Sequence, residues 1–250
     1  FDSTGDPITF DDAVLGDVSD EGYFYAYGLQ IVCSNDFTST LSDQVGKIEY
    51  ELFETFDDSD LAWVGYVLDI TPEITDASDL VTHIETNSNS DVAVVTVSEW
   101  NPSAQGFSLF DPDDPTNTFD FPVNIHFPYR IEIDLPLASQ GSTIWAQVGK
   151  LPAMETDTYT LYESFDDTDF TWILQPLYKY TISSSDTLEI DIETNATPGV
   201  TVKTISTWDP SAQQFTTYFT DDINTAFSTR FGYPYRVEVD ISSGLTATWP

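Results

Sequence analysis

Basic side chains are scarce in this 250-residue sequence, where seven lysines and arginines stand against 43 aspartates and glutamates and give a formal net charge of −36. Such a surface repels the phosphates of nucleic acids and attracts cations. We therefore expect no nucleic-acid partner. Halophilic adaptation and an acidic cell-surface coat both fit this composition, and in either case charge repulsion should make the fold depend on salt or on bound cations.

Long apolar runs and cysteine pairs are also missing. No segment approaches the roughly 20 apolar residues of a membrane-spanning helix, so we expect no direct membrane insertion. The single cysteine, Cys33, has no partner for an internal disulfide, and its neighbours Ile31 and Val32 favour a small buried residue. The sequence starts at Phe1 rather than Met, which favours a processed chain and hence an extracellular or cell-surface location.

An internal repeat organises most of the chain. Residues 50–63 (YELFETFDDSDLAW) return at 159–172 (YTLYESFDDTDFTW), and other matches follow in the same order. These matches are IETN at 84–87 and 192–195, WNPSAQGF at 100–107 with WDPSAQQF at 208–215, and PYRIEID at 128–134 with PYRVEVD at 234–240. The order and the nearly constant offset indicate a duplication. We predict an N-terminal extension over residues 1–45, a first module over 46–149 and a second over 150–250.

Hydrophobicity alternates with a period of two inside each module. In residues 129–135 and 235–241, apolar side chains alternate with Arg, Glu and Asp, which is typical of half-buried antiparallel strands. The Trp-Asn-Pro segment at 100–102 and its Trp-Asp-Pro counterpart at 208–210 have the composition of a hairpin turn. The sequence therefore predicts an all-β fold of two tandem antiparallel β-sandwich modules, with an N-terminal β-prone extension.

One pair of equivalent segments gives conflicting local signals. Leu80 and Ile84 have the spacing of a short helix, whereas Leu188, Ile190 and Ile192 alternate like a strand. Because equivalent positions should share one structure, we predict a short helix in both copies.

The repeated segments resemble a module that recurs in extracellular proteins of archaea and bacteria. The pattern is an Asp-Leu segment, a Trp-Asp-x-x-x-Gln-x-Tyr/Phe hairpin and a closing Pro/Gly-Tyr-x-Val strand, and the match covers residues 50 to 250. The family forms usually have Gly-Tyr before the last strand, where this chain has Pro128-Tyr129 and Pro234-Tyr235. The resemblance is to subunits of surface layers, sheaths and filaments. It implies a β-sandwich surface module and carries no catalytic residues with it.

Enzyme chemistry finds little support in the residues. The only histidines, His83 and His126, have no histidine counterparts in the second copy, and no serine or cysteine stands in a nucleophile motif. We predict no catalytic residues, although a carboxylate pair defined only in space stays open among 43 acids.

A carbohydrate- or ligand-binding surface protein is the rival interpretation. All six tryptophans fall into three repeat-equivalent pairs, Trp63/Trp172, Trp100/Trp208 and Trp145/Trp249. Exposed tryptophans would form a sugar platform, but residues kept at strand ends in both copies more often pack a core. We expect the core role, with Trp100 and Trp208 as the pair whose exposure would favour glycans.

Repeated acidic runs give the sharpest local hypothesis, a calcium site in each module. Calcium takes six to eight oxygen ligands, and carboxylates clustered on a turn suit it, although a solvated acidic turn is the simpler alternative. The candidate ligands are Asp57, Asp58 and Asp60 in the first module and Asp166, Asp167 and Asp169 in the second. Asn195 begins the sequon Asn-Ala-Thr and is a candidate glycosylation site.

The functional prediction is a non-catalytic structural subunit that polymerises with itself into a filament, sheath or surface layer. The β-prone stretch before residue 46 either completes the first module or pairs with a sheet edge of a neighbouring subunit. Its candidate assembly residues are Tyr23, Tyr25, Tyr27 and Ile31.

Overall fold

The computed structural model describes residues 23–26, 29–32, 45–54, 61–70, 72–114, 116, 119–136, 141–152, 158–165, 170–176, 179 and 181–250. Within these ranges, strands dominate and two α-helices accompany them. No helix in the same ranges combines the length and the apolar character needed to cross a membrane.

Both repeats contain the same succession of strands and α-helices, and the second has an additional 3-10 helix among the described residues. The N-terminal hairpin is β1 (Tyr23–Ala26) and β2 (Leu29–Val32). The first repeat contains β3 (Val45–Phe53), β4 (Ala62–Tyr66), α1 (Ala77–Asn87), β5 (Ala93–Asn101), β6 (Gly106–Phe110), β7 (Phe127–Asp134) and β8 (Ser142–Lys150). The second contains β9 (Tyr159–Tyr162), β10 (Thr171–Leu174), α2 (Ser185–Asn195), β11 (Val200–Asp209), β12 (Gln214–Phe219), a 3-10 helix (Ile223–Thr225), β13 (Pro234–Ile241) and β14 (Thr246–Trp249).

The strands form antiparallel sheets, as the alternating pattern predicted. A four-stranded sheet in the first repeat has the order β4-β7-β5-β6, and one in the second has the matching order β10-β13-β11-β12. The first strand of each repeat pairs with its last, β3 with β8 and β9 with β14. The all-β prediction is confirmed, and the two large sheets share one topology.

The helix prediction is also confirmed in both copies. Leu188 and Ile192 are buried one turn apart, while Ile190 points to solvent with 61% of its surface exposed. The apparent strand alternation of these residues is therefore one face of a helix plus an exposed isoleucine. Asp76 caps α1 by accepting a hydrogen bond from the Asp79 amide at 3.0 Å.

The repeated hairpin turns form as their composition predicts. Trp100 pairs with Phe107 across β5 and β6, and Trp208 pairs with Phe215 across β11 and β12. Oδ1 of Asp209 accepts hydrogen bonds from the amides of residues 211 and 212, at 2.9 and 3.1 Å. This Asx turn is the reason for Asp or Asn before the proline.

The N-terminal hairpin pairs within its own chain. Residues 30–32 of β2 lie antiparallel to residues 45–47 of β3, so β1 and β2 extend the sheet of β3 and β8. Lys150, at the expected boundary between the modules, is the last residue of β8. The buried residues of both repeats belong to one hydrophobic cluster, so the core is continuous across that boundary.

Candidate functional site between the two repeats

The two repeats meet around a stacked pair of tryptophans. The ring centroids of Trp63 and Trp172 lie 3.7 Å apart with 23° between the planes, and both side chains are buried. They occupy equivalent positions, so the contact lies on an approximate two-fold axis relating the repeats. The same surface of each repeat therefore contacts its counterpart, as in a symmetric dimer, but within one chain.

The hairpin of the second repeat holds the backbone of the first. Trp208 Nε1 donates to the Leu61 carbonyl at 2.8 Å. The Gln213 side chain accepts from the Leu61 amide at 2.8 Å and donates to the Leu61 carbonyl at 3.2 Å. Both backbone groups of Leu61 are thus satisfied by the opposite repeat, which a partly buried backbone requires.

The reverse contact has the same geometry. Trp100 Nε1 donates to the Phe170 carbonyl at 3.0 Å, and the Gln105 side chain bonds the Phe170 amide and carbonyl at 3.0 and 3.3 Å. Gln105 and its equivalent Gln213 have φ angles of 47° and 49°, which disfavour most side chains. A glutamine at these positions is explained by its cross-repeat hydrogen bonds, which offset the backbone strain.

Two tyrosines add a further reciprocal pair of contacts. Tyr50 donates its hydroxyl proton to the Gly232 carbonyl at 2.8 Å, and its equivalent Tyr159 donates to the His126 carbonyl at 3.0 Å. Gly232 and His126 occupy equivalent positions and share a left-handed backbone, with φ of 71° and 68°. Gly65 lies against the Gly232 carbonyl, where the backbones approach too closely for a side chain.

A groove opens beside this interface, between β3 of the first repeat and the end of β11 in the second. We call it the inter-repeat groove. Its volume is about 380 Å³. The lining includes Tyr50, Glu51, Trp208, Asp209, Arg230 and Tyr233.

Arg230 is the cationic group of this groove. Five of the seven basic residues have a carboxylate within 4.0 Å, namely Lys47, Arg130, Lys179, Lys203 and Arg236. Arg230 has no such partner among the residues that the structure describes, and its guanidinium carbon lies 5.4 Å from the ring centroid of Tyr233. Its equivalent in the first repeat is Asn124, and the equivalents of Glu51 and Asp209 are Thr160 and Asn101. These three charged residues therefore occur in the inter-repeat groove, while the equivalent positions on the other side of the two-fold axis are uncharged.

The tryptophans predicted as core residues mostly pack inside the protein. Trp145 and Trp249 have no exposed surface. Trp100 and Trp208 are half-buried, and their indole N–H groups are used in the contacts between the repeats. These two side chains therefore do not form a flat exposed platform.

The histidines occupy packing positions. His83 Nδ1 accepts from Trp145 Nε1 at 3.1 Å, and in the second repeat Asp191 Oδ1 accepts from Trp249 Nε1 at 2.9 Å. Burial lowers the pKa of His83 because the charged imidazolium loses its hydration. His126 is buried on the turn before β7.

The remaining predicted sites lie partly outside the described residues. Those outside are Asp57, Asp58, Asp60, Asp166, Asp167, Asp169, Tyr27 and Cys33. Tyr23, Tyr25 and Ile31 lie on β1 and β2. Asn195 ends α2, is exposed, and donates its side-chain amide to the Asp191 carbonyl at 3.0 Å. In the described ranges no three His, Cys, Asp or Glu side chains are close enough to hold a metal, so calcium stays a prediction about the acidic runs.

Several residues that hold the repeats together, or that support a strand within a repeat, were not predicted from the sequence. The glutamines 105 and 213 recur in both hairpin motifs, and that recurrence was the available signal. The repeated glutamates of the IETN segments also have a structural role. Glu85 accepts from the Val94 amide at 3.0 Å, and Glu193 accepts from the Val202 amide at 2.9 Å. Directly after these valines the pairing register shifts, between β5 and β7 in the first repeat and between β11 and β13 in the second. No signal in the sequence distinguished Arg230.

Comparison with known proteins gives no match to a family model, a curated protein or a solved structure. Functional proposals for this chain therefore rest on its own residues and geometry. A shared fold would in any case not fix an activity, since function depends on sites.

Proposed function

We propose that this chain is a non-catalytic structural subunit of an extracellular polymer, built from two β-sandwich modules that arose by duplication. The duplication is supported by the matching strand orders and the reciprocal contacts. The sandwich assignment is supported by Tyr129 and Tyr235, whose hydroxyls bond the backbone of residues 124 and 230, five positions upstream. Such tyrosine corners are a feature of β-sandwiches.

The edges of the two large sheets carry the assembly proposal. β6 (GFSLF) and β12 (QFTTYF) are the outermost strands of their sheets, and neither contains a charged residue although 20% of the chain is charged. Leu109 and Phe219 are 43% and 48% exposed. Proteins that stay monomeric usually protect such edges with charges or proline, and β6 and β12 contain neither, which favours pairing with another chain. The backbone of Phe219 itself bonds Thr225 and Asp222, so pairing along β12 is expected before that residue.

The symmetry of the molecule converts edge pairing into polymerisation. The stacked Trp63 and Trp172 lie on β4 and β10, which form one edge of each large sheet. β6 and β12 form the opposite edges of the same sheets. One subunit thus has two similar edges, one per repeat. If each edge pairs with an edge of a neighbouring subunit, every subunit has two neighbours, and the assembly is an open filament when the rotation between subunits does not close a ring.

The net charge sets the condition for assembly. Each subunit carries a formal charge of −36, so neighbouring subunits repel one another at low ionic strength. Salt shortens the screening length from about 30 Å at 0.01 M to about 3 Å at 1 M. Assembly is therefore expected in concentrated salt, which is the setting of a halophilic surface, or with cations bound between subunits.

Two edge substitutions test the proposal. Leu109→Glu and Phe219→Glu each place a charge on an edge strand, and the double variant should remain a dispersed monomer where the unaltered chain forms ordered particles by electron microscopy. The double variant Ile190→Glu/Leu245→Glu is the matched control, because both residues are exposed and apolar, lie outside β6 and β12, and the exchange adds the same two charges. Polymers of the double variant, or a dispersed unaltered chain at every salt and calcium concentration, would overturn the proposal.

A further inference from the structure

The inter-repeat groove has the size and rigidity of a small-ligand site. Its volume of about 380 Å³ falls within the range of ligand pockets, which is roughly 300–1,000 Å³. Its walls come from both repeats, and the reciprocal contacts around Leu61 and Phe170 hold those walls together. The shape of the groove is therefore fixed before a ligand arrives, which reduces the entropic cost of binding.

Two aromatic side chains in the groove are held in place while part of their surface stays accessible. The indole N–H of Trp208 is bonded to the Leu61 carbonyl, and the Phe215 ring contacts the indole edge-on at 4.8 Å. Tyr233 donates its hydroxyl proton to the Glu49 carbonyl at 3.3 Å and packs against Tyr50. Fixed, half-exposed rings of this kind offer flat apolar faces to a ligand.

Arg230 supplies the charged contact. Its side chain is exposed and lacks a carboxylate partner in the described part of a chain that has 43 acidic residues. The backbone of Arg230 is fixed by the Tyr235 hydroxyl at 2.6 Å, which anchors the base of the side chain. A guanidinium binds a carboxylate through two parallel hydrogen bonds, so Arg230 is suited to a carboxylate on the ligand.

The other polar groups restrict the class of ligand. The exposed hydroxyls of Thr216 and Ser228 line the groove and can exchange hydrogen bonds with ligand hydroxyls. Glu51 and Asp209 also line it, so the groove repels ligands with several negative charges such as phosphate esters. A ring with hydroxyl groups and one carboxylate satisfies all of these groups together.

We infer that the inter-repeat groove binds a uronic-acid-containing oligosaccharide, with the carboxylate on Arg230 and a sugar ring against Trp208. The site is complete within one chain, so this binding is independent of the proposed polymerisation. Glu51 and Asp209 accept hydrogen bonds from the sugar hydroxyls.

Calorimetric titration of the intact chain tests the inference, in about 0.15 M salt so that the overall charge is screened to about 8 Å. The probes are a galactose oligosaccharide that carries one galacturonic acid residue, called here the monouronate, and the neutral oligogalactose of the same length. The monouronate should bind and the oligogalactose should bind at least tenfold more weakly. Arg230→Asn should weaken binding of the monouronate by about tenfold or more, the loss of a charge-assisted contact.

Asn124→Arg is the matched control, because it makes the reciprocal exchange at the equivalent position outside the groove. It should leave the affinity for the monouronate unchanged. The melting temperatures of both variants show whether they fold. No binding of the monouronate, equal binding of the neutral sugar, or equal affinity of a folded Arg230→Asn variant would each overturn the inference. Since the titration measures single chains, its failure leaves the edge-pairing test unaffected.

Discussion

Gly65 lies so close to Gly232 that a Cβ atom on Gly65 would stand 2.3 Å from the Gly232 carbonyl oxygen. The two glycines belong to different repeats, 167 positions apart in the sequence. This close approach of the two backbones explains why β4 contains a glycine within the strand.

Gly65→Ala should therefore lower the free energy of unfolding by about 1–3 kcal/mol, the usual cost of overpacking. The clash is with backbone, so the two repeats must shift apart to relieve it. Gly106→Ala is the control, because the nearest atom to its added Cβ would be 3.7 Å away. Urea unfolding of both variants checks this, and an equal effect of the two substitutions would contradict a tight interface at Gly65.

The glutamine contacts predict an ordering of variants at residue 213. Gln213→Ala removes the hydrogen bonds to Leu61 and keeps a side chain at a φ of 49°, so it should cost about 1–3 kcal/mol. Gln213→Gly loses the same bonds but relieves the strain, and it should be less destabilising than the alanine variant. Gln105→Ala should cost about as much as Gln213→Ala, since the contacts are reciprocal. Chemical unfolding measures all three, and a stable Gln213→Ala variant would refute the role of these contacts.

His83 should make stability depend on pH in the mildly acidic range. Its pKa in the folded state lies below the ordinary value of 6.5, so the unfolded chain takes up a proton first as the pH falls. As the pH falls from about 6.5 to the pKa of His83 in the folded state, the free energy of unfolding should decrease. Above about pH 6.5, His83 should contribute nothing to the pH dependence of stability. Protonation would also place a proton on Nδ1, which accepts from Trp145.

His83→Gln keeps a hydrogen-bond acceptor and removes the titration. Unfolding measured at pH 7.5 and 5.5 should show a smaller loss of stability for this variant than for the unaltered chain. Carboxylate titration is common to both proteins and cancels in the comparison. Identical pH dependence of the two would show that burial of His83 has no energetic consequence.

Salt and calcium should stabilise the fold by separable mechanisms. At low ionic strength the repulsion of a net charge of −36 is least screened, so the melting temperature should rise with added sodium chloride. If the run 57–60 binds calcium, a further rise with calcium should disappear when its three aspartates are changed to asparagine. Changing the three aspartates of the exposed turn 111–114 to asparagine removes the same amount of charge, so this variant is the control for an effect of charge without calcium binding. A melting temperature that neither salt nor chelator changes would leave the acidic runs as solvated turns.

Local structure followed from the sequence because its determinants are neighbours in the chain. The Asx turn at Asp209 needs only the next three residues, and the strand at 129–134 needs only its own alternation. The helix at 185–195 was harder, since Leu188, Ile190 and Ile192 fit two periods at once. Comparison of the two copies favoured the helix, because Leu80 and Ile84 in the first copy have helical spacing.

Residue patterns alone predicted the antiparallel strands, the helix in each repeat, the hairpin turns and the equivalence of the two repeats. Trp63 packs on Trp172 as well as on Phe107 of its own repeat, and the Trp208 indole bonds Leu61. Only the tertiary structure shows these contacts between the repeats. It alone placed Arg230 in a groove without an acidic partner among the described residues. The physical reason is that periodicity records which face of an element is buried, whereas the choice of partner depends on packing between residues more than 100 positions apart.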